Sequence, residues 1–367
     1  MKEKNINADQ RFVGIDLGKR TYHVAIVGGN GKVTMSNGMT YAEGRQALYK
    51  KLRPSDTVAL ESGGLAFIMA KEMEKAVGCT VHVLNPYRLS VIYASMKKTD
   101  KEDALKLAHI LVDFSEERLP TVPVPSDKEI TRRKLLASSR RVVQSRCRYI
   151  NQLHGLFVSQ GITTVTRKDL ASAENRKKAI ALLTGIEREE ADYFCNCLKL
   201  CDDRIAKLEE QMEAEAAGDK VIEDLQTVPG VGPKIAFAFA AHVGAERFEN
   251  AGQVSNYLGL VPRVYMSGDT VRYGSITKRG NSYLRALLVQ GAWALVRANR
   301  GGKLKERYEY MTLEKSISKK KAIVAIARRM AELMYTLMKD GTRYECRPFI
   351  REKKTAGEKS AELAMGA

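Results

Sequence analysis

Four acidic residues in the first third of the chain have the types and placement of a metal site. Asp16 ends an apolar run in Gly14-Ile15-Asp16-Leu17-Gly18, and Glu61 follows directly on a second such run, Thr57–Leu60. Asp100 and Asp103 lie three apart in Lys98-Thr99-Asp100-Lys101-Glu102-Asp103, so they share a face at the start of a helix. Strand ends are where α/β sheets place their sites. Carboxylates gathered there repel one another unless a divalent ion neutralises them. Oxygen-only ligands select Mg²⁺ or Mn²⁺, and two such ions can clamp the attacking and leaving oxygens of a phosphodiester. For any one acid the alternative is a solvated charge or a helix N-cap, Asp100 above all.

A second centre lies in the C-terminal third, from Pro262 to Asn281. Ser267 and Ser275 stand among Arg263, Arg272, Lys278 and Arg279, with glycines that let a phosphate approach the backbone. A serine that attacks phosphorus needs such a cationic surround and a base or metal to take its proton. The same composition also describes a simple phosphate-binding loop. Upstream, Pro229-Gly230-Val231-Gly232 resembles the turn of helix-hairpin-helix modules, which offer backbone N–H groups to a DNA phosphate, and Lys234 would suit that role. A glycine turn between packed helices is the ordinary alternative. The opening GIDLG is also how actin- and sugar-kinase-like ATPases begin. That reading needs a later Asp-x-Gly-Gly loop, and Glu61-Ser62-Gly63-Gly64 comes too early.

The elements that position these residues follow from periodicity and turn signals. Strands are expected at 11–16, 22–27, 32–36, 57–60 and 80–84, with helices at 41–53, 65–77 and 101–114. This is an α/β domain with a mixed sheet over residues 1–125. Pro120, Pro123 and Pro125 mark a linker. A helical region at 126–220 holds a long basic helix, 128–160, whose Arg132, Arg133, Arg140 and Arg141 are candidate nucleic-acid contacts. Its second long helix, 187–216, spaces Phe194, Leu198, Cys201, Ile205, Leu208 and Met212 as a coiled-coil seam. That seam suits either pairing with the basic helix or dimerisation. A mainly helical domain at 221–350 has helices at 233–243, 250–258, 282–298 and 318–339, and the tail 351–367 reads as disordered.

Charge narrows the partners. Lys and Arg number 61 against 43 Asp and Glu, a formal net charge of +18, which favours a polyanion through counterion release. No apolar run reaches the ~20 residues of a membrane span, and the N-terminus lacks the apolar stretch of a secretory signal. The six cysteines form no CxxC pair, so buried, reduced thiols in a cytoplasmic protein are expected rather than a zinc site.

Taken in order, Gly14-Ile15-Asp16, Glu61, Asn85-Pro86, Lys98-Thr99-Asp100 with Asp103, Pro229-Gly230-Val231-Gly232, Gly259-Leu260-Val261-Pro262 and Ser267-Gly268 give the chain a family likeness. Over residues 11–345 it resembles the insertion-sequence transposases related to the pilin-gene invertase, the bridge-RNA-guided recombinases. The resemblance implies a RuvC-like, RNase H-fold domain with an Asp-Glu-Asp-Asp tetrad at Asp16, Glu61, Asp100 and Asp103, binding Mg²⁺ or Mn²⁺. It implies a nucleophilic serine after a Pro-Arg-x-Tyr-x segment, which falls on Ser267, with Ser275 as the alternative. It further implies a phosphoserine-linked DNA intermediate, donor and target DNA as substrates, and an element-encoded noncoding guide RNA. Assembly as homodimers and homotetramers, with the tetrad of one subunit meeting the serine of another, and a place at the bacterial nucleoid also follow. The tetrad is intact. Two other classes stay open: a RuvC-like junction nuclease that leaves hydrolysed ends and no adduct, and a nonenzymatic nucleic-acid-binding protein.

Overall fold

The computed structural model describes residues 7–92, 99–267, 270–298 and 301–346, in two compact units that divide after Ser126. Lys98, Gly268 and the tail 351–367 lie outside the described residues.

The first unit is built on β1 (Arg11–Leu17), β2 (Thr21–Gly28), β3 (Val33–Met39), α1 (Ala42–Tyr49), β4 (Thr57–Glu61), α2 (Ala66–Ala76), β5 (Thr80–Leu84), α3 (Pro86–Ile92) and α4 (Asp100–Asp113). The five strands form one sheet in the order β3-β2-β1-β4-β5, with β1, β2 and β3 antiparallel and β4 and β5 parallel to β1. Strand alternation divides the apolar residues between two faces. Val13, Ile15, Val24, Val58 and Leu60 pack with Leu48 of α1 and Met69 and Met73 of α2. Phe12, Ala25, Val27 and Ala59 pack with Ala104, Leu107, Ala108 and Leu111 of α4. Gly14 sets how closely α4 lies on the sheet, because a Cβ there would collide with the Ala104 carbonyl and the Ala108 amide.

The second unit runs through α5 (Asp127–Ser159), α6 (Ala173–Ala179), α7 (Gly185–Ala216), α8 (Lys220–Leu225), α9 (Pro233–His242), α10 (Ala251–Tyr257), β6 (Pro262–Ser267), β7 (Thr270–Ile276), α11 (Ser282–Arg297), α12 (Gly302–Glu309) and α13 (Lys319–Asp340). Helices α5 and α7 lie antiparallel, with Arg132 bonded to Asp219 near one end and Gln160 to Thr184 near the other. The seam on α7 is used inside the chain. Leu198 joins Ile150, Leu153 and Phe157 in one cluster, while Leu208 and Met212 join Leu136 in the main core with α9, α11 and α13. Phe194 and Ile205 are only half-buried. The cysteines are free thiols but less buried than expected: Cys79 and Cys201 are buried, Cys195 and Cys197 half-buried, Cys147 and Cys346 exposed. Among the described residues no helix is long and apolar enough to cross a membrane.

Candidate metal centre and serine hairpin

Strand register brings two of the acids together. β1 and β4 are parallel neighbours with Ile15 paired to Leu60, so one step further Asp16 and Glu61 stand side by side on the face that α4 covers. A groove of about 500 Å³ opens there, lined by Asp16, Lys19, Glu61, Gly63 and Gly64 among others. Helix α4 supplies the other two acids from its first turn. Its N-cap is Thr99, whose side chain accepts from the Glu102 amide, so Asp100 is not needed as the cap. Asp103 accepts a hydrogen bond from Lys106 at 2.7 Å.

Among the described residues the ligand atoms of Asp16, His23 and Asp100 cluster, while Glu61 and Asp103 act on Asp16 through their charge. Burial raises the Asp16 carboxyl above its ordinary value, and the charges of Asp100, Asp103 and Glu61 raise it further, with His23 acting the other way. A half-buried carboxylate facing three others is a site that a divalent cation would relieve. The residues fit such an ion on donor chemistry as well: single ligand atoms of Asp16, His23 and Asp100 all lie within 4.8 Å of one another.

His23 is the member that sequence reasoning missed. It sits on β2 directly opposite Asp16, and its Nδ1 is 3.6 Å from an Asp100 carboxylate oxygen. The available donors are therefore not oxygen alone. An imidazole beside carboxylates suits Mn²⁺ better than it suits Mg²⁺. Its place is set by the pairing of β1 with β2, which brings residue 23 opposite residue 16.

Ser267 lies on a two-stranded antiparallel ribbon, β6–β7, in a Gly- and Arg-rich stretch for which no strand was expected. Ser267 pairs with Thr270 next to the tip and is exposed, with Asp269 of that tip outside the described residues. Ser275 is near the base of β7, roughly 15 Å away at strand rise. The base is firmly held. The Thr277 amide donates to the Val261 carbonyl and the Lys278 amide to the Gly259 carbonyl. Gly259 and Gly280 both have positive φ, and a Cβ at either would strike backbone, at Arg279 and Tyr257 respectively. Lys278 itself is left-handed at φ 56°, an unusual conformation for a lysine.

The expected nucleic-acid cations separate into two groups. Arg263, Arg272, Lys278 and Arg279 are exposed on or beside the ribbon, and Arg140 and Arg141 are exposed on α5, with Arg140 over the Tyr283 ring. Arg132 does not fit a phosphate-contact role. It is 5% exposed, and its guanidinium is committed to Asp219 at 2.6 Å and Glu215 at 3.5 Å. Arg133 caps α9 by donating to the Ala241 carbonyl, and Lys234 donates to the buried Ser139 hydroxyl. The Pro229–Gly232 turn serves packing at Gly230, where a Cβ would strike the carbonyl of Gly291 on α11.

With both centres described, likeness to known proteins bears on what they are. A transposase model of the DEDD IS110 type matches residues 13–160, and the model described as Transposase IS116/IS110/IS902 family matches residues 222–309. The chain is 31% identical over 343 residues to a probable family 20 transposase of Pseudomonas aeruginosa, covering 90% of this chain and 98% of that one. It is 26% identical to the transposase for insertion sequence element IS1111A of Coxiella burnetii, over 94% of each chain. It is 25% identical to the transposase for insertion sequence element IS1328 of Yersinia enterocolitica, over 77% of this chain and 82% of that one. Fold, carboxylate site and likeness together define the class, a DNA transposase. The chain belongs to the IS116/IS110/IS902 transposase family. The four acids fall within the first matched stretch and the ribbon within the second, and a DEDD transposase domain points to use of a divalent metal.

Proposed function

We propose that this transposase cuts and rejoins DNA through Ser267, with Asp16, Glu61, Asp100 and Asp103 holding Mg²⁺ or Mn²⁺ and His23 beside them. The observation that carries the reading is geometric: Asp16 and Glu61 end neighbouring parallel strands, and single ligand atoms of Asp16, His23 and Asp100 lie within 4.8 Å of one another. The antiparallel β1–β3 meander continued by parallel β4 and β5 supports a RuvC-like domain. Bound at this site, the metal supplies Lewis-acid stabilisation of charge on the phosphodiester oxygens.

The chain's own residues do the rest. The Ser267 hydroxyl oxygen forms a bond to phosphorus, the bond from phosphorus to one deoxyribose oxygen breaks, and that oxygen leaves as a hydroxyl after gaining a proton. The serine's proton passes to a base, and attack by a new strand's hydroxyl on the phosphoserine reverses these changes. The diester bond energy is conserved, so no ATP is required. Arg263, Arg272, Lys278 and Arg279 neutralise the DNA backbone at the ribbon, the first two from the serine's own strands. Donor and target DNA are selected by a noncoding guide RNA, and the working form is a homodimer or homotetramer.

Protein–DNA adducts trapped in cells carrying the gene, its flanking noncoding DNA and a junction plasmid test this. Ser267→Ala and Asp16→Ala should abolish the adduct and Ser275→Ala should retain it. Loss only in Ser275→Ala would move the nucleophile. Cleavage that needs Asp16, leaves no adduct and ignores both serines would make the protein a nuclease.

A further inference from the structure

The ribbon has two unlike faces. Pairing sets Thr270 opposite Ser267 and Arg272 opposite Tyr265, and strand alternation places these four on one side. Arg263 belongs to that side too, since its Cβ and the Tyr265 ring are both neighbours of the Cβ position at Gly274. Val264, Met266, Val271 and Tyr273 take the other side. The serine face therefore carries an aromatic ring two residues before the nucleophile. That ring is seated, because a Cβ on Gly274 would come within 3.2 Å of Tyr265 Cε2, yet Tyr265 remains 58% exposed. One part of the ring rests on glycine backbone and the rest faces solvent beside Arg272.

We propose that Tyr265 is a base-stacking residue that holds an unpaired nucleotide beside the phosphate presented to Ser267, so that the strand enters the serine face single-stranded. This rests on Ser267 as the nucleophile. Base faces are hidden in a duplex and open in a single strand, where an aromatic platform binds them whatever the sequence, and Tyr265 offers such a face, exposed on the same side of the ribbon as Ser267. Arg272, directly across the ribbon, supplies the accompanying phosphate contact. Tyr265 acts as a positioning residue, since it places the strand without reacting.

The test uses the full chain carrying Ser267→Ala, so that binding is read without chemistry. The probe is a short single-stranded DNA whose adenines are replaced by 2-aminopurine, with the matching duplex as control. The parent and Tyr265→Phe should bind the single strand and quench its fluorescence. Tyr265→Ala and Tyr265→Leu should lose the quenching and weaken single-strand binding roughly tenfold, as expected for one lost stack, with duplex binding changed less than twofold. Tyr265→Leu keeps apolar bulk over Gly274, so a ring that merely packs would leave that variant like the parent, which overturns the proposal. Equal losses in Tyr265→Phe and Tyr265→Ala would assign the hydroxyl rather than the ring, and overturn it as well. Because the serine is absent throughout, failure here and failure of the adduct experiment are separate results.

Discussion

The two centres are built in opposite ways. The acids are fixed by the core: Asp16 and Glu61 by strand register, and Asp100 and Asp103 by a helix pressed onto Gly14. Among the described residues the serine ribbon is anchored at its base, and both of its faces are open, with Tyr273 at 73% and Met266 at 71% exposed. An isolated two-stranded ribbon gains little stability by itself. The contrast teaches that the candidate metal centre is organised by folding, whereas the serine face is left exposed by it.

The sharpest way to break this comparison is at Gly14. Gly14→Ala should cost about 3 kcal/mol, the upper end for overpacking, because backbone atoms of α4 must give way. Mn²⁺ affinity should fall with it although every carboxylate is retained. Thermal melts and Mn²⁺ titration check both, and an unchanged melting temperature would show that α4 is not held by the core as described.

A pair of arginines sharpens the comparison at smaller cost. Arg132→Met should lose about 2 kcal/mol, below the 3–5 kcal/mol typical of a broken buried pair, since Lys128 still reaches Asp219 at 3.1 Å. Its DNA affinity should keep the parent's salt dependence. Arg272→Gln, on the ribbon, should do the reverse. Stability should move by less than about 0.5 kcal/mol, while the slope of log affinity against log salt falls by about 1. Urea melts and binding at several salt concentrations decide between these patterns.

The smallest effect expected near neutral pH is at His242, the last residue of α9. A cation is normally welcome at a helix C-terminus, but Arg133 and Arg247 already donate to the Ala241 and His242 carbonyls. Burial and these two charges push the His242 imidazole down to about 4. A histidine depressed in the folded state binds more protons when unfolded. Its contribution is therefore complete above about pH 6.5 and is lost as pH falls toward about 4. His242→Gln should flatten the fall of the urea midpoint over that window and leave the midpoint's pH dependence above 7 as it was.

Much of the first unit was legible in sequence. Strands β1, β2, β4 and β5 bury one or both faces, so their apolar runs are continuous, and Asp16 and Glu61 sit where two of those runs stop. His23 was not legible from type or local pattern, since its role depends on its partner across β1–β2. The ribbon was not anticipated because exposure on both faces removes the alternation of apolar and polar residues that marks a half-buried strand. Arg132 was misread because a helix pattern shows which positions are polar, but not that acids 83 and 87 residues away will meet one of them. The short α3, α6, α8 and α12 were not anticipated, each having no more than about two turns in which to show a period.

The division after Ser126 also orders events in time. Domains fold largely as units during synthesis, the N-terminal one first, at roughly 5–20 residues per second. All four acids and His23 precede the division, and Ser267 emerges about 140 residues later. For roughly 7–30 s a growing chain carries its acids without its serine, so under the proposed mechanism a stalled or truncated copy holds the candidate metal ligands but lacks the nucleophile.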